Sequence, residues 1–283
     1  MHGVIQSKFG LYVPRHGKLI SAVIFDWGGT LVDPFSISPA LSFVRSFKES
    51  GISVTMEEAR KPMGIRKDLH IKKMLEMDDI RNRWVAEKGV GPTKQDKLNI
   101  YEMFKIIQKN VVNDYSVLTP YAEDTFKILR GCYKLKIGTT TGFDKDIVKI
   151  ILQNNRNFVP DSVVCGDDLR EDLGSRPKPF MIWKNLFHMK ISNISSVIKV
   201  DDTVSGIQEG LNAGCWTVGV INYSNYMNVD SVDEYKKMSH REINEKRQKT
   251  KQILLNAGAH YVIDDLSKLP LVIDIINDRL ANH

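Results

Sequence analysis

Four short segments carry side chains of the types needed for chemistry on a phosphoryl group. Asp26 ends the apolar run Val23-Ile24-Phe25 and precedes Gly28-Gly29-Thr30. A carboxylate so placed can attack phosphorus and form an aspartyl intermediate. Thr139-Thr140-Thr141-Gly142 follows Ile137, and hydroxyls and N–H groups at a helix start suit phosphate oxygens. Arg176-Pro177-Lys178-Pro179 offers a cation between prolines, able to neutralise charge on nucleophile and phosphoryl group. Asp201-Asp202 follows Val200 and is suited to a hard cation. Each segment alone has an ordinary explanation as a cap, a strand end or a solvated loop. All four, in this order and each at the end of a candidate strand, point to one site.

The elements that must position them follow from periodicity. Residues 19–26 read as a buried parallel strand. From Pro39 to about Val112 the pattern is helical, with Thr55-Met56-Glu57-Glu58 as a capping box and apolar residues at helical spacing over 93–112. After Tyr115 strands and helices alternate. Strands are expected over 135–140, 162–165, 197–200, 216–221 and 260–263. Helices are expected over 121–131, 144–154, 179–188 and 204–213, with another opening at Ser239. This alternation defines an α/β fold with a doubly wound parallel sheet. The expected division is an N-terminal extension at 1–18, a core of 19–33 with 116–283, and a helical insertion at 34–115.

Composition excludes several classes. At 283 residues, one large domain or one domain with an insertion is expected. No apolar run approaches the roughly 18 residues that span a bilayer, so no membrane partner is expected. The net charge of +6 is spread along the chain without a basic patch interleaved with aromatics, so no nucleic-acid partner is expected either. Cys132, Cys165 and Cys215 are far apart and odd in number, which fits a reducing, cytoplasmic setting. The first twenty residues lack an apolar h-region and read as a loose basic tail.

Asp26-Trp27-Gly28-Gly29-Thr30, Thr139–Gly142, Arg176 and Asp201-Asp202 resemble the four motifs of the haloacid dehalogenase superfamily. The resemblance implies a Rossmann-like core with a parallel sheet, an inserted helical cap domain and Mg2+ dependence. It implies Asp26 as nucleophile and Arg176 as its cationic partner. It implies Asp26, the Gly28 carbonyl and Asp202 at the metal, with Asp201 in support, and Gly29, Thr140, Thr141 and Gly142 around the substrate. Phosphatases of this superfamily carry a second Asp two residues after the nucleophile as general acid. Gly28 stands there and cannot protonate a leaving group.

Glu57-Glu58-Ala59-Arg60-Lys61-Pro62-Met63-Gly64, followed by Lys67 and His70, resembles the cap of the phosphonoacetaldehyde hydrolase family. There a cap lysine condenses with the substrate aldehyde, which places Lys67 in that role, with Lys61 the weaker candidate. Met63 and His70 match active-site positions. The implied reaction cleaves phosphonoacetaldehyde to acetaldehyde and phosphate through a lysine imine and an aspartyl phosphate. An imine suits a C–P bond, because the electrons released on cleavage become an enamine rather than a carbanion. Arg66, Lys72 and Lys73 are expected to depress the Lys67 pKa from its usual value of about 10.4. His70 shares a helical face with Lys67 at i,i+3 spacing and is expected to shuttle protons. A phosphonate substrate and a homodimer are the implied partners.

The chain departs from the family at Phe143, where tyrosine is usual, at Ser36, where cysteine is usual, and at Gly206, where an acid is usual. Two other classes therefore stand beside the leading one: a Mg2+-dependent phosphatase of another small metabolite, and a degenerate binding protein. Gly28 weighs against the first, and the retained Asp26, Arg176, Asp202 and Lys67 against the second.

Overall fold

The structure is a computed structural model that describes residues 4–6, 19–170, 173 and 176–282, with 4–6 as backbone alone. A short strand, β1, spans Val4–Gln6, and β2, Ala22–Phe25, ends one residue before Asp26. Five helices follow: α1 Ile37–Glu49, α2 Met56–Arg60, α3 Lys67–Leu75, α4 Asp78–Lys88 and α5 Lys94–Val111. The alternation then begins, with α6 Ala122–Gly131, β3 Lys136–Thr140, α7 Lys145–Asn154, β4 Ser162–Val164 and α8 Phe180–Met189. It continues through β5 Val197–Asp201, α9 Val204–Ala213 and β6 Trp216–Val220. It closes with α10 Val232–Lys237, α11 His240–Asn256, β7 Tyr261–Ile263 and α12 Leu269–Ala281.

The sheet order is β1-β7-β6-β5-β2-β3-β4, parallel throughout except for β1, which runs antiparallel to β7. This is the α/β fold expected. The inner strands are mostly apolar because helices cover both faces of the sheet. β2 lies between β3 and β5, with Phe25 opposite Thr139 on one side and Val200 on the other. The chain goes from β2 to β3 and β4, then crosses back to β5. The carboxyl end of β2 is therefore a topological switch point, the place where open α/β sheets bind ligands.

Helices α1–α5 enclose their own apolar cluster around Phe43, Phe47, Trp84 and Phe104. Thr55 with Glu58 and Thr93 with Asp96 close reciprocal capping boxes at α2 and α5. The chain enters this block through a tight turn in which Asp33, Phe35 and Ser36 all have left-handed φ, of 50°, 68° and 51°. Non-glycine residues rarely hold such angles without support. Here the Asp33 carboxylate supplies it, accepting from the Ile37 and Ser38 N–H groups and the Ser38 hydroxyl.

Expected boundaries and observed ones differ by one to three residues at most ends. The proposed extension at 1–18 lies outside the described residues except for Val4–Gln6, which forms an edge strand rather than a loose tail. Helices α10 and α12 were not anticipated. No described helix is long and apolar enough to cross a membrane.

Candidate active site

The carboxyl ends of β2, β3 and β5 bring Asp26, Thr140 and Asp201 together, and the loop before α8 adds Arg176. The buried Arg176 guanidinium is the hub. Its Nη2 lies 2.7 Å from Asp26 Oδ1, and its Nε donates to Glu209 Oε2 at 2.8 Å. Nη1 lies 3.5 Å from Asp201 Oδ2 and donates to the Gly64 carbonyl at 3.1 Å. Nη2 also donates to the Thr140 carbonyl and hydroxyl. A planar fork with five donors suits such a shared position better than an ammonium.

Beneath the hub lies Lys199, fully buried in the middle of β5, whose ammonium is 3.0 Å from Asp201 Oδ2 and 3.4 Å from Glu209 Oε2. Thr140 joins the two cations. Its hydroxyl accepts from Arg176 and Lys199 and donates to Glu209. Thr140, expected beside the substrate, therefore tightens this network and is not among the residues that line the chamber beside Asp26. Sequence reasoning missed Lys199 and Glu209. The available signal was a charged residue in the apolar run Val197-Ile198-Lys199-Val200, since lysine is almost never fully buried unless paired.

Asp26, Asp201 and Asp202 each offer a carboxylate oxygen, all within 4.8 Å of one another. Asp202 accepts from the Thr30 hydroxyl and the Asn225 N–H. Asp201 accepts from the Thr203 N–H and hydroxyl. At Gly206 a Cβ would collide with the Asp201 carboxylate, so the missing acid at this position makes room for the adjacent pair. Gly29, with φ 77°, does the same for Asp202: a Cβ there would sit 2.5 Å from Asp202 Oδ2. Its N–H donates to the Val32 and Asp33 carbonyls. Gly29, expected beside the substrate, thus closes the loop on Asp202 and is not among the residues that line the chamber.

The donor set fits a divalent ion on charge. Four buried carboxylates, Asp26, Asp201, Asp202 and Glu209, surround two buried cations, Arg176 and Lys199. Two negative charges remain in this network, of which the neighbouring Lys67 ammonium offsets at most one, and burying charge unpaired is costly. The imbalance appears in the titration of the carboxylates. Burial and the charge of Asp201 push the Asp26 carboxyl up to about 6, against the opposing pull of Arg176 and Lys199. Burial, with Asp26 and Asp201, pushes Asp202 well above the usual carboxylate range. Asp201 is held below that range: burial opposes its ionisation, but Lys199 and Arg176 outweigh it. The pair divides accordingly, with Asp202 lacking a cation and Asp201 already possessing two.

Helix α3 brings Lys67 to the same chamber. Lys67 is its first residue, 5% exposed, with Nζ 5.0 Å from the Phe143 ring centroid and 5.8 Å from that of Phe43. Burial lowers its pKa from 10.5 to about 8; Asp26 and Asp144 oppose this and Arg176 adds to it. The expected depression by Arg66, Lys72 and Lys73 is not the cause. Arg66 is paired with Asp68 through two hydrogen bonds, and Lys72 lies exposed beside Glu76. Lys61 is exposed.

The chamber between Asp26 and Lys67 is lined by Gly28, Ser36, Met63, Thr141, Gly142 and Phe143, among others, and measures about 20 Å3. That is room for about one water. A Cβ on Gly28 would lie 3.2 Å from Ser36 Oγ and 3.7 Å from the Phe143 ring. A side chain at position 28 would therefore crowd Ser36 and pack against Phe143.

His70 lies on α3 as expected but behind the chamber. It is fully buried, stacks on Phe43 at 3.9 Å between centroids, and its Nε2 is 2.8 Å from the Ala59 carbonyl. Burial and the nearby Lys67 charge hold its pKa well below 6.5, so the ring is neutral at pH 7. An Nε2–H donated to Ala59 leaves Nδ1 as a buried acceptor with no partner among the described residues.

Residues 23–220 match the model of the haloacid dehalogenase-like hydrolases, and the chain belongs to that family. Within it, the chain falls among the phosphonoacetaldehyde hydrolases. It is 38% identical over 93% of its length to the phosphonoacetaldehyde hydrolase of Paraburkholderia phytofirmans, covering 98% of that protein. It is 37% identical over 94% of its length to the bifunctional phosphonoacetaldehyde hydrolase/aminoethylphosphonate transaminase of Clostridioides difficile, of which it spans 42%. A crystal structure of a phosphonoacetaldehyde hydrolase-like protein from Oleispira antarctica superposes with a TM-score of 0.89 at 37% identity, covering 94% of this chain and 95% of that one.

Proposed function

We propose that this enzyme hydrolyses the carbon–phosphorus bond of phosphonoacetaldehyde, giving acetaldehyde and inorganic phosphate. The observation that carries the proposal is that Lys67 and Asp26 line one chamber, with Gly28 where a leaving-group acid would stand. The printed names of the relatives support it.

Neutral Lys67 adds to the aldehyde carbonyl, and loss of water leaves an iminium. Asp26 attacks phosphorus. The C–P electrons enter the iminium and form an enamine, so no acid is needed beside Asp26. Water then hydrolyses the aspartyl phosphate. Protonation of the enamine carbon and hydrolysis of the imine release acetaldehyde and restore Lys67. Arg176, fixed by Glu209 and Thr140, holds positive charge against Asp26 and the phosphoryl oxygens throughout. Asp26, Asp202 and the Gly28 carbonyl would hold Mg2+, with Asp201 in support. Bound there, the ion would neutralise charge on the phosphoryl group and keep Asp26 ionised. Met63, Thr141 and Gly142 bound the substrate. His70, with its unpartnered Nδ1, acts as a neutral acceptor behind Lys67.

The insertion at 34–115 acts as the cap of this site. A cytoplasmic homodimer completes the proposal, supported by unpaired cysteines and by exposed Val85, Val90 and Leu98 on the insertion.

The test is borohydride reduction of the protein with Mg2+ and phosphonoacetaldehyde, followed by peptide mapping and phosphate assay. A reduced adduct on Lys67 together with phosphate release is expected. Release of phosphate from esters, with no adduct, would instead favour the phosphatase reading.

A further inference from the structure

Lys67 and Phe143 line a second cavity that Asp26 does not reach. It measures about 230 Å3 and lies between α5 of the insertion and α7 of the core. The two residues are thus the wall it shares with the 20 Å3 chamber beside Asp26. Its sides are apolar, from Phe104, Ile106, Phe143 and Ile147. The charged groups around it are paired with one another: Lys105 with Glu102 at 2.7 Å and Lys109 with Asp146 at 2.6 Å. Asp144 faces the Tyr101 hydroxyl, 3.4 Å from either oxygen. Gln108 also lines the cavity, and its Oε1 is buried with no donor among the described residues.

An aldehyde places nothing here. In an iminium on Lys67, the carbonyl carbon carries two groups at about 120° to one another, as trigonal geometry requires. On the proposed mechanism the phosphonomethyl group is directed at Asp26, and the 20 Å3 chamber there must widen to admit it. In an aldehyde the other group is hydrogen. A space of about 230 Å3 on the remaining side has the size of a small-ligand subsite, though a modest one. Its apolar walls and paired rim suit a neutral carbon substituent rather than a second anion.

We propose that this cavity is a subsite for the carbonyl substituent of 2-oxoalkylphosphonates, so that the enzyme cleaves ketone as well as aldehyde substrates. The inference rests on the imine reading above. The ketone R–CO–CH2–PO3 condenses with Lys67, losing water. The C–P pair enters the iminium as phosphorus passes to Asp26. Protonation of the enamine and two hydrolyses then give R–CO–CH3 and phosphate, with net uptake of one water and no redox change.

The experiment presents the Mg2+-loaded enzyme with phosphonoacetaldehyde, 2-oxopropylphosphonate and 2-oxopentylphosphonate, reading both phosphate release and the borohydride adduct on Lys67. Both ketones are expected to give adduct and phosphate. The ratio of pentyl-ketone to aldehyde kcat/KM is expected to fall at least tenfold in Ile106→Trp, an exposed helix position, and to rise in Ile106→Ala. If the aldehyde is cleaved while neither ketone forms adduct or phosphate, the subsite is refuted. It is equally refuted if the ratio is indifferent to residue 106. If phosphonoacetaldehyde itself yields neither adduct nor phosphate, the imine reading falls and takes the subsite with it.

Discussion

The reactivity of Lys67 should follow a titration that its burial sets. Its pKa moves from 10.5 to about 8. At about 1.36 kcal/mol per unit, the ammonium is disfavoured by roughly 3.4 kcal/mol relative to water. At pH 7.5 about a quarter of the side chain is neutral, against about one part in a thousand for a solvated lysine. A brief borohydride pulse with excess aldehyde, quantified on the Lys67 peptide across pH, reads this fraction. The adduct should reach half its maximum near pH 8 and fall about tenfold per unit below it. Asp26→Asn supplies a second, signed test. The Asp26 carboxylate favours the ammonium, so its removal should shift the midpoint down, by about one unit, while phosphate release is lost. The same shift also fixes a stability dependence. Because the folded pKa lies below the unfolded one, the penalty is fully present below about pH 8 and is relieved as pH rises towards 10.5. Lys67→Met should therefore be the more stable protein at pH 7, with the difference shrinking above pH 8. A midpoint near 10.5, or an upward shift in Asp26→Asn, would refute the placement of Lys67 in a dry pocket facing Asp26.

Three further outcomes follow from the charge network. Lys199→Met leaves Asp201 and Glu209 with Arg176 alone, and should cost about 3–5 kcal/mol in urea unfolding; a loss under 1 kcal/mol would mean the pairing is not needed. Mg2+ at about a hundred times its dissociation constant should stabilise by about 2.7 kcal/mol, seen as a rise in Tm that chelator reverses; an unmoved Tm would argue against the Asp26–Asp202 site. Gly206→Asp forces the Asp201 carboxylate to move, so it should lower Tm and weaken the Mg2+ response. Retention of both would show that the adjacent acidic pair does not depend on the glycine.

The reach of the sequence is clearest at β2 and β5. A largely apolar run ending in an acid marked both strands and the ends that carry the site's carboxylates, because parallel strands buried on two faces have little compositional freedom. The helical character of 39–112 was equally visible, and the capping box at Thr55, which satisfies local donors, left a local signature; the one at Thr93 was not read. Lys199 and Glu209 were not visible, because their partners lie in other elements and no spacing rule connects residues 140, 176, 199 and 209. The protein neighbours of Gly29 and Thr140 were not legible either. The first meets Asp202 and the second meets Arg176, contacts that exist only once β2, β3 and β5 are side by side. β1 has three residues in a polar segment, too few for a periodicity to emerge.

The departures at Gly28 and Gly206 are consistent with one another. An acid at position 28 would add a fifth carboxylate to a site whose four are met by Arg176, Lys199 and, when protonated, Lys67, and its Cβ would crowd Ser36. An acid at 206 would collide with Asp201, whose charge is spent on Lys199 and Arg176. Each added acid would raise the Asp26 carboxyl further, and a protonated Asp26 cannot attack phosphorus. In the mechanism proposed above, Lys67, whose charge is positive or absent, handles the leaving group and avoids that penalty. On that proposal, the glycine at position 28 and the buried lysine are two parts of one electrostatic solution.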